Sequence, residues 1–343
     1  MRASSALFIK KTTMHHFYLY TQQAKQPAKT VLLCHFSGSG RKGLFDYMNT
    51  KSAFIAIVGR PNVGKSSLLN AFVGEKVAIV SPKPQTTRTR ITGVLTQEET
   101  QLVFVDTPGI HTPKNKLSDY MVKQVRESVA DVDAVVLMTE PTGAISPTEL
   151  ELIAQFKARR LPALLVVNKI DLLSQKELMM EKIAAFSALY DFAEIIPVSV
   201  LRQDGIDLLL SKLMTYAADS PHYFDDDSYT DQPERVIISE IVREKLLMNL
   251  RDELPHGMAV GIEQMSERDG SDLLDIQAII YCEKDSHKGM VIGKQGAMLK
   301  KIGSQARSDI EGFMACRVNL QLWVRVKADW RNRDGLIREF GFQ

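Results

Sequence analysis

Eight consecutive residues have the pattern of a phosphate-binding loop. They are Gly59-Arg60-Pro61-Asn62-Val63-Gly64-Lys65-Ser66, which fit G-x-x-x-x-G-K-[ST]. Glycine lets such a loop curl so that its N–H groups point at phosphate oxygens, and the helix that follows adds the positive end of its dipole. The Lys65 ammonium can reach the β- and γ-phosphates, and the Ser66 hydroxyl can bind Mg²⁺. The loop therefore predicts a site for a nucleoside triphosphate.

A second motif indicates which base the nucleotide carries. Asn168-Lys169-Ile170-Asp171 comes directly after an apolar run at residues 163–167. The Asp171 carboxylate can accept both hydrogen bonds from the N1–H and 2-amino edge of guanine. Adenine has no such pair of donors and would leave the carboxylate partly unpaired. Ser199-Val200-Leu201 follows another apolar run, and its backbone is placed to contact the guanine O6.

The residues for magnesium and hydrolysis follow two further segments. Asp106-Thr107-Pro108-Gly109 closes an apolar run, so that Asp106 can hold Mg²⁺ through water and the Gly109 N–H can contact the γ-phosphate. The polar stretch Pro84-Gln85-Thr86-Thr87-Arg88 offers a threonine hydroxyl to the metal. The sequence leaves Thr86 and Thr87 open, and we prefer Thr87.

The complete predicted site draws on all of these segments. The predicted nucleotide-binding residues are Gly59, Asn62, Val63, Gly64, Lys65, Ser66, Ser67, Asp106, Asn168, Lys169, Asp171, Ser199, Val200 and Leu201. The predicted metal ligands are Ser66, Thr87 and Asp106, and the predicted catalytic residues are Lys65, Thr87 and Gly109. The cofactors are therefore GTP or GDP with Mg²⁺.

Alternating strands and helices must position these residues. Apolar runs at residues 54–58, 102–105, 134–138, 163–167 and 195–198 read as buried parallel strands, with stretches of helical period between them. This order predicts an α/β domain with a mostly parallel sheet and helices on both faces, over residues 51–217. Residues 218–233 are polar and bounded by proline, and we predict a linker there.

Five motifs at strand ends resemble the GTP-binding domain of the translation-factor-related GTPases. Ile110 stands where Ras-like members carry the glutamine that orients the attacking water, so slow intrinsic turnover is expected. In related GTPases an asparagine at the place of Asn62 helps to bind K⁺, which predicts a K⁺ site. The alternative interpretation of Asn62 is a plain turn residue.

A second domain is predicted over residues 234–343. Its order of helix, two strands, helix pair, strand and short helix resembles a type II KH domain, an α+β fold that binds single-stranded nucleic acid. Gly293-Lys294-Gln295-Gly296 lies between the paired helices, with Ile292 and Ile302 predicted to line an apolar groove for bases. The predicted RNA-binding residues are Lys288, Ile292, Gly293, Lys294, Gln295, Gly296, Lys300 and Lys301. A merely solvated basic helix face is the alternative.

Core packing is predicted for Trp323, which lies in an alternating strand.

Composition supports two globular domains and excludes several classes of protein. The chain has 343 residues, 45% of them hydrophobic, and the apolar runs are too short to span a bilayer. Three cysteines are too few for a disulfide framework, which favours a reducing compartment. The net charge of +2 conceals a division: residues 1–47 carry +6, 48–218 carry +1, 219–283 carry −11 and 284–343 carry +6. Basic charge therefore coincides with the predicted nucleic-acid face.

Residues 1–50 read as a poorly ordered basic extension. Acidic residues are nearly absent there, which leaves a targeting peptide as the alternative, although lysine rather than arginine dominates. We prefer an extension that results from an early start codon, with Met48 as another start.

A P-loop domain followed by a type II KH domain resembles the Era family of GTPases, from about Lys51 to the C-terminus. G-R-P-N-V-G-K-S, P-Q-T-T-R, D-T-P-G-I-H and V-K-A-D-W fit the pattern of that family. The resemblance implies a monomeric cytoplasmic GTPase that binds small-subunit (16S) ribosomal RNA near its 3′ end and assists biogenesis of the 30S subunit. It also implies peripheral association with the inner membrane.

The mechanism that we predict is a molecular switch. GTP with Mg²⁺ orders the loops at residues 81–93 and 106–120, and thereby sets the placement of the two domains and the exposure of the RNA groove. Three alternatives remain open. They are an RNA-binding assembly factor with a structural nucleotide, a membrane-associated or cell-cycle signalling GTPase, and a GTPase acting in RNA modification.

Overall fold

The first sheet is built from the apolar runs of the N-terminal half. The computed structural model describes residues 50–109, 115–173, 175–252 and 254–341. The strands of this sheet are β1 (Lys51–Gly59), β2 (Ile91–Gln97), β3 (Thr100–Asp106), β4 (Ala134–Thr139), β5 (Ala163–Val167), β6 (Glu194–Pro197) and β7 (Ala218–Asp219). The predicted extension lies outside the described residues except for Thr50, and Ile110 also lies outside them.

The sheet is mostly parallel, which confirms the predicted fold class. Its strand order is β2-β3-β1-β4-β5-β6, and β7 pairs with the start of β1. Strands β3, β1, β4, β5 and β6 are parallel, whereas β2 and β7 are antiparallel to their neighbours. The sequence interpretation placed a loop over residues 81–93, but the structure begins β2 at Ile91. All five parallel strands end at one edge, where the motifs follow them.

Helices cover both faces of this sheet. They are α1 (Lys65–Val73), α2 (Lys116–Ser128), α3 (Pro147–Arg159), α4 (Lys176–Ser187) and α5 (Ile206–Met214). Successive side chains of a strand point to opposite faces, so β1 contributes to two cores. Ile55 and Ile57 pack with residues of α1 and α5, while Ala56 and Val58 pack with residues of α2, α3 and α4. The edge that carries the motifs is therefore held by a rigid three-layer core.

The predicted linker, residues 218–233, lies along the first sheet. The Ser52 hydroxyl donates to the Pro221 carbonyl (3.0 Å), and the Gln101 side chain bonds to the backbone of Tyr223 and Phe224. Further along, the Val94 N–H donates to the Tyr229 carbonyl at 2.9 Å. The segment is thus tied to β1, β3 and β2 in turn.

The C-terminal domain, residues 234–341 of the described chain, has the element order that was predicted for it. Its elements are α6 (Glu234–Asn249), β8 (Ala259–Glu267), β9 (Leu273–Cys282), α7 (Asp285–Ile292), α8 (Ala297–Met314), β10 (Arg317–Val326) and α9 (Asp334–Glu339). The sheet order is β10-β9-β8, with β9 parallel to β10 and antiparallel to β8. Helices α6 and α8 bury their apolar sides against one face of this sheet.

The other face of the C-terminal sheet contacts the first domain. Leu117 and Met121 of α2 pack in one cluster with Ile279 of β9 and with Trp330, which is completely buried. Trp323 of β10 lies on this same face but outside the part that the first domain covers, and 56% of its surface is exposed. The prediction that Trp323 packs in the core was wrong, because the core side of β10 is taken by the residues of even number from Val318 to Val326. Among the described helices, none is both long and apolar enough to cross a membrane.

Candidate functional site

The glycine-rich loop between β1 and α1 has the curled backbone that phosphate binding requires. Gly64 has φ +106°, and a Cβ atom there would lie 2.3 Å from the Asn168 Nδ2. Glycine is therefore required at this position both by conformation and by space. Asn62 has φ +65° and donates from its amide to the Pro82 carbonyl at 2.8 Å, which joins the loop to the segment before Thr87.

Lys65 lies at the start of α1 and points back over the loop. Its Nζ donates to the carbonyls of Gly59 (3.2 Å) and Arg60 (2.9 Å), and the residue is 6% exposed. Burial lowers the pKa of Lys65 to about 8, while the Asp106 carboxylate acts in the opposite direction. The ammonium is held where phosphate oxygens would approach a helix N-terminus.

Ser66, Thr87 and Asp106 meet in one cluster of oxygen atoms. The Ser66 hydroxyl donates to the Asp106 Oδ2 at 2.6 Å and lies 2.8 Å from the Thr87 hydroxyl. Burial raises the pKa of Asp106 to about 6, with the Lys65 ammonium acting against the shift. The other oxygen of Asp106, Oδ1, is buried without a hydrogen-bond partner among the described residues. Hard oxygen atoms that surround an unpaired carboxylate oxygen fit a Mg²⁺ ion.

The two neighbouring threonines point in different directions. The Thr86 hydroxyl donates to the Lys83 carbonyl (2.7 Å) and lies 2.7 Å from the Ser81 hydroxyl. The Thr87 hydroxyl, by contrast, faces Ser66 and lies 3.5 Å from the Asp106 Oδ2. The geometry favours Thr87 as the metal ligand.

Asn168 connects two loops of the site. Its Nδ2 donates to the Val63 carbonyl at 2.8 Å, and its Oδ1 accepts from the Val200 N–H at 3.1 Å. The residue is 3% exposed. Its amide thus fixes the phosphate loop to the 199–201 loop. From the sequence, Asn168 was predicted only to bind the nucleotide, and this bridging role was not predicted.

The predicted guanine-binding residues lie at the ends of β5 and β6. The Ser199 hydroxyl donates to the Asp171 Oδ1 at 2.6 Å and so orients that carboxylate. Lys169 has φ +67° and forms an ion pair with Glu140 at 2.5 Å. Leu201 exposes 84% of its surface, so its side chain packs against little of the described protein.

One cavity of about 1030 Å³ brings most of these residues together. The predicted residues that line it are Asn62, Gly64, Lys65, Ser66, Ser67, Thr87, Gly109, Asn168, Lys169, Asp171, Val200 and Leu201. Gly59, Val63, Asp106 and Ser199 are buried behind this surface. Gly109 approaches the phosphate loop so closely that a Cβ atom would lie 2.6 Å from the Pro61 Cα.

Sequence reasoning missed the residues that join this cavity to the C-terminal domain. Arg88 is 1% exposed, and its two terminal nitrogens donate to the carbonyls of Met258 (2.6 Å) and His256 (2.7 Å). Burial, together with the nearby Arg243 guanidinium, lowers the pKa of Arg88 to about 9. Arg243, equally buried, donates to the Thr86 carbonyl. The signal available in the sequence was the position of Arg88 next to Thr87, on the opposite side of an extended chain.

The predicted nucleic-acid loop separates α7 from α8. Gly293 and Gly296 have φ +72° and +79°, and Gln295 has φ +50°, so the backbone turns sharply between the helices. Lys294, Gln295, Lys300 and Lys301 are exposed, while Lys288 and Ile292 are half-buried. The loop therefore presents backbone and lysine to solvent, as contact with a phosphate backbone requires.

A groove of about 490 Å³ runs beside this loop, between α8 and β10. Its apolar floor is made by Leu299, Leu320 and Leu322, and its rim by Lys300 and Arg307. The prediction that Ile302 lines the groove was wrong, because Ile302 is fully buried in the core between α8 and the sheet. Neither Ile292 nor Lys301 lines the groove.

Fold and site together define a P-loop GTPase joined to a type II KH domain. The family profile described as a 50S ribosome-binding GTPase matches residues 54–169, and the KH domain profile matches residues 253–331. The chain is 49% identical to the GTPase Era of Ruminiclostridium cellulolyticum over 296 residues, which are 86% of this chain and 99% of the relative. The GTPase Era of Clostridioides difficile is also 49% identical, over 85% of this chain and 98% of the relative. The chain therefore belongs to the Era family of GTPases.

Two solved structures share both domains. One is a variant of Aquifex aeolicus Era bound to GDP·AlF₄⁻, with a TM-score of 0.82 and 37% identity, covering 85% of this chain and 99% of that one. The other is Era in complex with MgGDPNP and nucleotides 1506–1542 of 16S ribosomal RNA, with a TM-score of 0.81 and the same identity and coverage. The chain is thus a GTPase whose relatives use a magnesium nucleotide.

Proposed function

We propose that this GTPase is a molecular switch that binds small-subunit (16S) ribosomal RNA near its 3′ end and assists biogenesis of the 30S subunit. The observation that carries this proposal is the groove between α8 and β10, with its exposed lysine loop, on the same chain as the nucleotide cavity. The structural relative bound to MgGDPNP and 16S RNA supports the pairing of these two ligands.

In this proposal each part of the cavity has a separate task. The loop from Gly59 to Ser67 and the Lys65 ammonium bind the phosphates, while Asp171, oriented by Ser199, selects guanine. Ser66, Thr87 and Asp106 hold Mg²⁺, which, when bound, neutralises charge that develops on the phosphate oxygens. Gly109 lies directly against Pro61 of the phosphate loop, and we assign its N–H to the γ-phosphate. Slow turnover is expected, because the residue after Gly109 in the sequence is Ile110 and not the glutamine that orients the attacking water in Ras-like members.

A K⁺ ion beside Asn62 is the second part of the proposal. Asn62 is exposed at the rim of the cavity. Its Nδ2 donates a hydrogen bond to the Pro82 carbonyl, so the side-chain amide points toward the segment before Thr87. A cation there would act on the phosphates as an arginine finger does. Hydrolysis is then expected to be faster in K⁺ than in Na⁺ at equal ionic strength. Equal rates in the two salts would contradict a K⁺ site.

For the RNA, we propose that phosphates follow the loop from Gly293 to Gly296 and that bases enter the leucine-lined groove. Lys294 and Lys300 meet the phosphates directly, and Lys288 and Lys301 contribute from the adjoining helices. The groove has an apolar floor and a basic rim, which suits stacked bases and a charged backbone.

Two variants separate nucleotide binding from RNA binding. Lys65→Ala is expected to abolish GTP binding, and with it any dependence of RNA affinity on nucleotide. Lys294→Glu is expected to weaken RNA binding while GTP hydrolysis stays at the parental rate. Lys157→Glu, an exposed residue at the end of α3, makes the same charge change far from the groove and is the matched control. Affinities are measured with a labelled oligonucleotide from the 3′ end of 16S RNA.

The results also decide between the competing functions. RNA affinity that is independent of nucleotide in the parent would favour an assembly factor with a structural nucleotide. If Lys294→Glu, Lys157→Glu and the parent bound RNA with equal affinity, the result would contradict the proposed RNA site and favour a signalling GTPase.

The setting of this activity is proposed from membership of the Era family alone. We propose a monomer that acts in the cytoplasm and associates peripherally with the inner membrane. Fractionation of cells that express the full chain, together with its mass in solution, tests both statements.

A further inference from the structure

Residues 80–88 lie between the oxygen cluster and the KH domain and contact both. The Val80 N–H donates to the Glu244 carboxylate at 3.0 Å, Lys83 donates to the Leu250 carbonyl, and the Thr86 carbonyl accepts from Arg243. Thr87 alone among these turns its side chain to Ser66 and Asp106. The segment therefore has one metal-facing side chain, set between neighbours that are fixed to the other domain.

Arg88 makes the contact adjacent to that side chain. Its guanidinium donates to two carbonyls of the turn before β8, at residues 256 and 258, while the Trp330 indole N–H donates to the carbonyl between them, at Gly257 (2.9 Å). The Arg88 Cζ also lies 5.9 Å from the centre of the Trp330 ring. Three consecutive carbonyls of the KH domain are thus held by side chains, two of them by Arg88.

The partners of Arg88 make this contact dependent on the position of the KH domain. Both acceptors are neutral carbonyls, and no carboxylate of the described residues is hydrogen-bonded to the guanidinium. Departure of the KH domain would remove both acceptors and expose the guanidinium to water, so that nothing in the KH domain would then fix the Arg88 side chain. Because Thr87 is the neighbouring residue, its backbone would lose the same restraint.

We propose that Arg88 is a positioning residue of the GTPase site, through which the docked KH domain holds Thr87 toward Ser66 and Asp106. By thermodynamic reciprocity, binding of magnesium and GTP then strengthens docking of the KH domain to the same extent. The inference rests on the proposed function, because it assigns a route by which nucleotide changes RNA affinity.

The test compares Arg88→Ala with the parental full chain. The Mg²⁺ concentration for half-maximal GTP hydrolysis is expected to rise about tenfold, within the usual range of coupling between sites. The ratio of RNA affinities measured with a GTP analogue and with GDP is expected to approach one. Affinity for GDP in excess EDTA is expected to stay unchanged, because Arg88 does not contact the nucleotide cavity.

Matched variants keep a general loss of docking apart from the specific role. Asp334→Asn removes the exposed ion pair with Lys116 (2.6 Å), which also joins the two domains but does not involve residues 80–88. It is expected to leave the magnesium dependence at the parental value. Arg88→Gln retains one donor for a carbonyl and is expected to give an intermediate shift, including in the case that Arg88→Ala fails to fold.

An unchanged magnesium dependence in both Arg88 variants would overturn the inference. The same shift in Asp334→Asn would also overturn it, since any weakening of docking would then suffice. The parental chain tests the proposed function separately: without magnesium-dependent hydrolysis or RNA binding of its own, that function fails whatever the variants do.

Discussion

Asn168→Asp changes one atom of the amide that bridges two loops of the nucleotide cavity. A carboxylate at this position can still accept from the Val200 N–H, but it cannot donate to the Val63 carbonyl. It places an oxygen atom 2.8 Å from another oxygen at a site that is 3% exposed. The substitution therefore removes one hydrogen bond and replaces it with repulsion.

The size of the effect follows from burial of the two groups. Leaving a buried acceptor without its donor costs about 1–3 kcal/mol, and the middle of that range corresponds to roughly a thirtyfold change in an equilibrium. The melting temperature of the nucleotide-free chain is expected to fall by about 4–8 °C. Affinity for GDP, measured by titration of a fluorescent analogue, is expected to fall by up to roughly thirtyfold, because binding must restore the two loops.

Asn70→Asp is the matched control. Asn70 is also an amide bridge, which donates to the Ala78 carbonyl (2.8 Å) and accepts from the N–H groups of Val77 and Ala78. Asn70 also lines the cavity, but its hydrogen bonds stay within residues 70–78 and do not join the phosphate loop to the 199–201 loop. Asn70→Asp is therefore expected to lower the melting temperature and to leave GDP affinity near the parental value. If Asn168→Asp lowered affinity without lowering the melting temperature, the amide would act on the nucleotide and the bridging argument would be refuted.

Three further outcomes are expected. Gly109→Ala should slow GTP hydrolysis while sparing GDP affinity, because a Cβ atom does not fit against Pro61 and would displace the Gly109 N–H from the γ-phosphate, which GDP lacks. Parental turnover in a single-turnover assay would argue against this. The value of kcat/KM should fall below about pH 6, where Asp106 takes up a proton and loses its metal, and above about pH 8, where Lys65 loses its charge. A value of kcat/KM that stays constant from about pH 5 to about pH 9 would contradict both pKa shifts. In urea unfolding, Trp330→Ala should lose about 3–5 kcal/mol, whereas Trp323→Ala should change little, and equal losses would contradict the burial of the two rings.

The parallel strands and the nucleotide motifs could be predicted because their signals are local. A short apolar run that ends in glycine, aspartate or asparagine indicates both a buried strand and the residue that serves the site at its end, as in β1, β3 and β5. Strand β2 was missed because it is an edge strand, and its pattern Ile-Thr-Gly-Val-Leu-Thr-Gln is interrupted by glycine. Gly93 is nonetheless required there, since a Cβ atom would lie 2.4 Å from the Leu69 Cδ1.

The errors concern which side of an element meets a partner. Periodicity shows that α8 and β10 each have two sides, but it does not show which side closes the core. Ile302 of α8 is fully buried in the core, while Leu299, about one turn earlier, packs at the edge of that core and lines the groove. The face of β10 that points away from the KH core depends for its burial on helix α2 of the other domain, and the contacts of α2 do not extend to Trp323. Contacts between residues about 170 positions apart, such as Arg88 with His256, leave no periodic trace in the sequence.

The attachment of residues 218–233 to the first sheet has a consequence for how strongly the two domains meet. A free chain of this length would give its ends a root-mean-square separation of roughly 20–25 Å. The Thr230 hydroxyl, however, donates to the Thr92 carbonyl at 2.6 Å, which leaves only residues 231–233 before α6 begins at Glu234. The KH domain is therefore tethered by three residues, and the effective concentration of its carbonyls near Arg88 is far higher than a flexible tether would give. The two domains, if mixed as separate polypeptides, would have to reach that concentration in solution before they associated to the same extent.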